Sequence, residues 1–147
     1  MEQTRKNLKL SSIAVLALAV FSLIEIASEL FFGDLGQAMI PEGAPENILL
    51  ITQIILFAFA LVLTLPSVYM GIKGLRMAKN PNLSKGHIVW AIILLALASF
   101  GLIGHVVGFI QNGFNFENIS AFLSVAVEAF VFAEYIRFAI AVRKSVT

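Results

Sequence analysis

The chain has 147 residues and a formal charge of +1, with 59% hydrophobic residues, 13% charged residues and no cysteine. Soluble domains carry about 25% charged residues, so this composition excludes an ordinary water-soluble protein. The ten basic residues are spread over three segments rather than gathered in one patch, so we predict no nucleic-acid partner. The lack of cysteine excludes disulfides, thiolate catalysis and Cys-ligated metal centres.

Four long apolar stretches occupy most of the chain, at about residues 10–32, 48–72, 88–110 and 119–142. Each exceeds the ~20 residues that a helix needs to cross a hydrocarbon core ~30 Å thick. We therefore predict an all-α integral membrane protein whose residues 1–147 form a single domain, an antiparallel bundle of four transmembrane helices. Its first expected partner is the lipid bilayer.

The basic residues predict the orientation of these helices. They lie before the first stretch, between the second and the third, and at the end of the fourth: Arg5, Lys6, Lys9, Lys73, Arg76, Lys79, Lys85, Arg137, Arg143 and Lys144. The other two connections carry only acidic charges. Because short loops rich in Lys and Arg stay in the cytoplasm, we expect a multi-pass protein with both termini cytoplasmic. The composition is typical of a bacterial inner (plasma) membrane protein.

Local patterns predict three further features. Helix 2 should run past the membrane to about Lys79, where the Asn-Pro pair that follows stops it. Glu134 and Arg137 are three residues apart on helix 4 and should form an ion pair. His87, at the start of helix 3, is expected to be exposed, and Tyr135 is expected to anchor helix 4 at the membrane interface.

Every predicted helix places a strong polar side chain in its outer half or near its centre. These residues are Glu25, Glu29, Gln53, His105 and Glu128. At ~1.5 Å of rise per residue, Glu29 lies ~6 Å and His105 ~9 Å below the outer ends of their helices, and Glu128 lies ~15 Å down, near the midplane. A charge facing lipid at mid-depth costs at least ~2.5–3.5 kcal/mol, so we expect these side chains to face the interior of the bundle.

Small residues lie on the same helices as these polar side chains. Gly101, Gly104 and Gly108 flank His105 on helix 3. Small residues let membrane helices approach closely, so we predict that these three glycines are helix-packing positions. On this prediction, His105 lies between helices and away from the lipid.

The polar residues support two hypotheses for the function. The first is an outward-facing cavity, lined by Glu25, Glu29, Gln53, His105 and Glu128, that binds or transports a proton, a cation or a small polar solute. Intramembrane ionisable residues commonly serve such paths. The alternative is a non-catalytic accessory or regulatory subunit, in which the same helix faces bind a larger membrane complex or a second copy of the chain.

Other interpretations of these residues stay open. They could serve only as interhelical hydrogen bonds, which contribute ~0.6 kcal/mol on average in a membrane protein. A divalent metal at Glu25, Glu29, His105 and Glu128 is less favoured, because one histidine and no Glu-x-x-His motif make an incomplete ligand set; we predict no cofactor. An enzyme is the least favoured class, because the paired carboxylates are accompanied by no nucleophile motif and no phosphate-binding loop.

Overall fold

The computed structural model describes residues 2–33, 38, 45–81, 85–113 and 115–145. Within these ranges the chain contains helices and no strand. The helices are α1 Glu2–Phe31, α2 Glu46–Lys79, α3 Gly86–Asn112 and α4 Phe116–Lys144. All four are long and apolar enough to cross a membrane, which confirms the four apolar helices predicted from the sequence.

Hydrogen bonds are resolved at two of the helix ends. α2 ends at Lys79 as predicted, and the backbone N–H of Asn80 donates to the carbonyl of Arg76 at 2.8 Å. α4 begins after Asn115, whose side-chain oxygen accepts the backbone N–H of Asn118 at 2.7 Å. This bond satisfies one of the N–H groups that have no partner within the first turn of a helix.

The described chain divides into two compact units. The first unit contains Met1–Leu16 and Ser67–Thr147, and the second unit contains Ala17–Pro66. α1 and α2 therefore contribute to both units, whereas α3 and α4 belong wholly to the first. The division within α2 falls at Pro66, whose ring removes a backbone donor from the helix.

The core of the first unit contains residues from all four helices. Its buried members are Leu8, Val15, Met70, Met77, Ile88, Ala91, Phe132, Tyr135, Ala139 and Val142. Several are seven positions apart on one helix, a spacing that places two side chains on the same face. Between membrane helices, such faces are held together mainly by van der Waals packing.

Two glycines of α2 allow close helix contacts in this core. A Cβ at Gly71 would lie 3.1 Å from the carbonyl oxygen of Ser12 and would also overlap the side chain of Leu16. A Cβ at Gly74 would lie 2.6 Å from Cε2 of Tyr135. α2 approaches α1 and α4 this closely because these two positions carry no side chain.

α3 and α4 also pack against each other within the first unit. A Cβ at Gly101 would meet Cγ1 of Val125 at 3.4 Å, and the ring centroids of Phe109 and Phe122 are 5.5 Å apart. Gly101 comes before Phe109 in α3, whereas its contact residue on α4, Val125, comes after Phe122, the contact residue of Phe109. The two helices therefore run in opposite directions.

Candidate functional site

The five predicted polar residues are distributed over both units. Glu25, Glu29 and Gln53 lie in the second unit, and His105 and Glu128 lie in the first. That all five line one cavity remains a prediction. Within their own units, the five side chains have three different environments.

Gln53 is buried and links the two helices of the second unit. Its Nε2 donates to the backbone carbonyl of Leu30 at 2.6 Å. That carbonyl lies in the last turn of α1, where carbonyls lack an intrahelical partner. Next to this bond, the rings of Phe31 and Phe57 pack edge to face, with centroids 6.0 Å apart. Phe31 follows Leu30 directly in α1, and Phe57 lies one turn after Gln53 in α2. Gln53 therefore holds the end of α1 against α2.

Glu25 and Glu29 are exposed and lie one turn apart on one face of α1. Neither carboxylate has a hydrogen bond or an ion pair with another residue in the part of the chain that the structure describes. Both belong to a helix that is apolar enough to cross a membrane. The second unit thus presents two carboxylates on the surface of a membrane-type helix.

His105 and Glu128 are half-buried, and each lies on a helix face that contacts the other helix of the α3–α4 pair. His105 is four residues from both Gly101 and Phe109, which contact α4, and Glu128 is three residues from Val125, which contacts α3. Counted from the contact between Gly101 and Val125, the two residues are offset by about seven positions along the pair, roughly 10 Å; counted from the ring contact of Phe109 with Phe122, the offset is about two positions, roughly 3 Å.

Neither Glu128 nor His105 forms a hydrogen bond or an ion pair with any described residue. Buried polar groups with a structural role are nearly always hydrogen-bonded, as Gln53 is. The half-buried carboxylate of Glu128 and imidazole of His105 differ from Gln53 because they have no such bond to a described residue. They are therefore the strongest candidates in the first unit for binding an ion or a small solute.

A polar cluster that the sequence did not reveal lies elsewhere in the first unit. His87 is fully buried, so the prediction that it is exposed was wrong. Its Nδ1 lies 2.8 Å from Oη of Tyr135, and that hydroxyl donates to the backbone carbonyl of Met70 at 2.8 Å. Tyr135, expected as an interface anchor, is itself fully buried. The error arose because α4 covers the first turn of α3, and no local pattern indicates that contact.

The hydrogen bonds of this cluster fix the role of each atom. The single hydroxyl hydrogen of Tyr135 is directed to Met70, so Oη must accept a hydrogen from Nδ1 of His87. The other ring nitrogen, Nε2, is buried and has no partner among the described residues. Gly74 lies one turn after Met70 and gives the tyrosine ring room to reach that carbonyl. Gly74 lies three residues after Gly71, and this pair of glycines within one helix is the sequence feature that could have indicated a close contact here.

Glu134 and Arg137 form the ion pair predicted from their spacing. Nη1 of Arg137 lies 3.2 Å from Oε1 of Glu134, and the two side chains are 73% and 28% exposed. The guanidinium also lies 5.6 Å from the ring centre of Phe138. These contacts give both charged groups a structural role on the surface of α4.

The three glycines predicted as packing positions differ in their surroundings. Gly101 is in contact with α4 through Val125. A Cβ at Gly104 or Gly108 would meet no described atom within 4 Å. Their role in helix packing stays a prediction.

The described side chains include no group of three or more His, Asp and Glu residues placed to hold a metal ion. Comparisons of the chain with protein-family models, curated proteins and solved structures found no match.

Proposed function

We propose that this protein binds and transports a proton, a cation or a small polar solute across a membrane, with Glu128 as the central residue and His105 as a second polar group. One observation carries the proposal: two half-buried titratable side chains lie on the contacting faces of α3 and α4, and neither has a polar partner in the described chain. An ionisable group in a membrane helix is costly unless water, an ion or a second group compensates for lost hydration. A transported cation or proton would supply that compensation at the carboxylate.

Gln53 is better explained by structure than by transport, because its amide already bonds the carbonyl of Leu30. The role that we propose for Glu25 and Glu29 is to attract cations at the surface of α1, since both carboxylates are exposed. Carboxylates on a protein surface raise the local concentration of cations near that surface.

A flux assay in liposomes tests the proposal. The purified protein is reconstituted with a trapped pH-sensitive dye, and parallel preparations carry dyes for monovalent and divalent cations. We expect Glu128→Gln to lower the active flux at least tenfold and His105→Gln to lower it by a smaller factor. Glu134→Gln is the matched control, because that carboxylate lies on the same helix but is paired with Arg137. Full flux in Glu128→Gln, or equal loss in Glu134→Gln, would contradict the assignment.

We also propose that the four helices form an antiparallel transmembrane bundle with both termini in the cytoplasm. All ten basic residues support this orientation by their positions along the chain. The chain has no cysteine, so each introduced cysteine is a unique label. An impermeant maleimide should label Gln111→Cys in intact cells and should label Lys79→Cys only after lysis. The reverse pattern would overturn the orientation.

A second candidate function is that of an accessory subunit in a membrane complex. The specific observation in its favour is that Glu25 and Glu29 are exposed on a membrane-type helix and have no polar partner among the residues that the structure describes. Facing lipid, such charges are costly; facing a basic or hydrogen-bonding surface of another chain, they are stabilised.

Native mass spectrometry after gentle extraction tests this candidate. We expect a stoichiometric partner, or a defined homo-oligomer, that is lost in the Glu25→Gln, Glu29→Gln double variant and kept in Glu134→Gln. A monomer in the parent protein, with flux intact after reconstitution, would rule out the subunit and leave transport as the function.

A further inference from the structure

A groove lies at the basic end of the first unit, between the start of α1 and the end of α2. It has a volume of about 430 Å³ and is lined by Glu2, Arg5, Lys6, Lys9, Leu75, Ala78 and Lys79. All of these residues belong to the first unit. We call it the basic groove.

The charges of the basic groove are unbalanced. Among the described residues that line it, four are cations and one, Glu2, is a carboxylate. None of the four cations has an ion pair or a hydrogen bond with a residue that the structure describes. Like charges gathered in this way repel one another, and a bound anion relieves that repulsion.

Arg5 adds an independent observation. Its Nε–H is buried and has no acceptor within the described chain. Buried N–H donors are almost always hydrogen-bonded, and a charged donor is especially costly to leave without a partner. Arg5 also lines the groove, and a guanidinium is well suited to phosphate because its donors match the spacing of phosphate oxygens.

The position of the basic groove indicates the source of the anion. Lys9 directly precedes the first apolar stretch, and Leu75 follows the second by a few residues. The groove is therefore at the depth where lipid headgroups meet a membrane-spanning helix. Its lining also includes the apolar side chains of Leu75 and Ala78, which suit the glycerol and upper acyl region of a lipid better than a free phosphate ion.

We propose that the basic groove is a binding site for the phosphate headgroup of an anionic phospholipid. Arg5 and the three lysines bind the phosphate, and Leu75 and Ala78 contact the apolar part of the same molecule. Basic pockets beside membrane helices are a recognised way of selecting anionic lipids. The site is separate from Glu128 and His105 and does not depend on the transport proposal.

Native mass spectrometry of the detergent-solubilised protein measures this binding. The probes are palmitoyl-oleoyl phosphatidylglycerol, phosphatidylcholine with the same chains, and glycerol 3-phosphate as the soluble phosphate. We expect phosphatidylglycerol to bind at least tenfold more tightly than phosphatidylcholine, and glycerol 3-phosphate not to displace it at millimolar concentration. Equal binding of the two lipids, or full displacement by glycerol 3-phosphate, would overturn the proposal.

Substitutions locate the site. The double variant Lys6→Gln, Lys9→Gln should bind phosphatidylglycerol roughly 20- to 30-fold more weakly, at about fivefold per cation removed. Arg76→Gln is the matched control, because Arg76 is an exposed cation on the last turn of α2 but does not line the groove. An equal loss in Arg76→Gln would mean that general surface charge, and not the groove, binds the lipid.

Arg5→Lys gives a further check that keeps the charge. It should still weaken phosphatidylglycerol binding severalfold, since an ammonium group lacks the paired donors with which a guanidinium binds phosphate. If the double variant does not fold, Lys79→Gln alone, at an exposed helix end, should lower binding about fivefold. Unchanged binding in a folded Lys79→Gln variant would count against the groove.

Discussion

The α3–α4 pair has two halves, one around His87 and one around His105, and the polar side chains of the two halves have different surroundings. In one half, His87 and Tyr135 are fully buried and joined by a hydrogen bond, and Gly74 brings α2 against the tyrosine ring. In the other half, His105 and Glu128 are only half-buried and have no polar partner among the described residues. A buried and hydrogen-bonded group defines which helix faces meet, whereas an unpartnered one is available for a ligand.

This difference separates two histidines that look alike in the sequence. Both lie on α3, and each is the only histidine in its half of the helix. His105 lies within the third apolar stretch, while His87 directly precedes that stretch and is adjacent to the basic connection. His87 is fully buried where exposure was expected, which makes it a structural residue, whereas His105 is half-buried and stays the candidate for function.

The largest loss of stability that we predict is for a substitution at Gly74, where α2 is in close contact with the ring of Tyr135. In Gly74→Ala the new Cβ would overlap Oγ of Ser12 and lie 2.6 Å from Cε2 of Tyr135, so these side chains or the helices that carry them must shift. We expect a loss of about 1–3 kcal/mol in the free energy of unfolding, the usual cost of overpacking. Unfolding in mixed detergent micelles with increasing sodium dodecyl sulfate measures it.

Gly104→Ala is the control for this prediction, because nothing described lies within 4 Å of the added methyl group. Its stability should be unchanged or higher by up to about 1 kcal/mol, since alanine favours the helix more than glycine does. A similar loss in both variants would show that the two halves are packed equally tightly.

Removing the hydroxyl of Tyr135 should cause the next largest loss of stability. Tyr135→Phe keeps the ring but leaves Nδ1–H of His87 buried without an acceptor. We expect a loss of about 1–2 kcal/mol in the free energy of unfolding, measured in the same micelles. Tyr69→Phe, at the other and more exposed tyrosine of the chain, should change it by less than about 0.5 kcal/mol. Equal effects would place the hydroxyl of Tyr135 outside the core.

A smaller loss is expected from Gln53→Leu in the second unit. The substitution removes the bond to the carbonyl of Leu30 while keeping most of the side-chain volume. Interhelical hydrogen bonds in a membrane protein contribute about 0.6 kcal/mol on average and at most about 1.7, and the loss should lie in that range. Gln111→Leu, at the exposed end of α3, is the control. No difference between the two variants would mean that Gln53 does not hold α1 to α2.

Features that depend on local spacing were predictable from the sequence. The four helices follow from the length of the apolar stretches, and the ion pair of Glu134 with Arg137 follows from a separation of three residues. The end of α2 follows from the Asn-Pro pair after Lys79. Each of these depends on neighbours within one or two helical turns.

Features that depend on which helices meet were not predictable. Tyr135 bonds a carbonyl 65 residues away, and Gln53 bonds one 23 residues away. A backbone carbonyl has the same chemistry at every residue, so the sequence does not indicate which carbonyl a side chain will reach. For the same reason His87 was expected at the surface, since only the contact with α4 explains its burial.

The smallest change in stability is expected where we place the function. Glu128→Gln replaces a half-buried carboxylate that has no partner in the described chain with a neutral group of the same shape. Since no hydrogen bond is lost and a costly charge is removed, the free energy of unfolding should stay constant or rise by up to about 1 kcal/mol. Unfolding in the micelles used for the other variants measures this, and flux in liposomes is measured on the same preparation. A loss above about 2 kcal/mol would show that Glu128 is bonded within the protein, as Tyr135 is. The contrast between the two halves of the helix pair would then disappear, and the transport proposal would lose its physical basis.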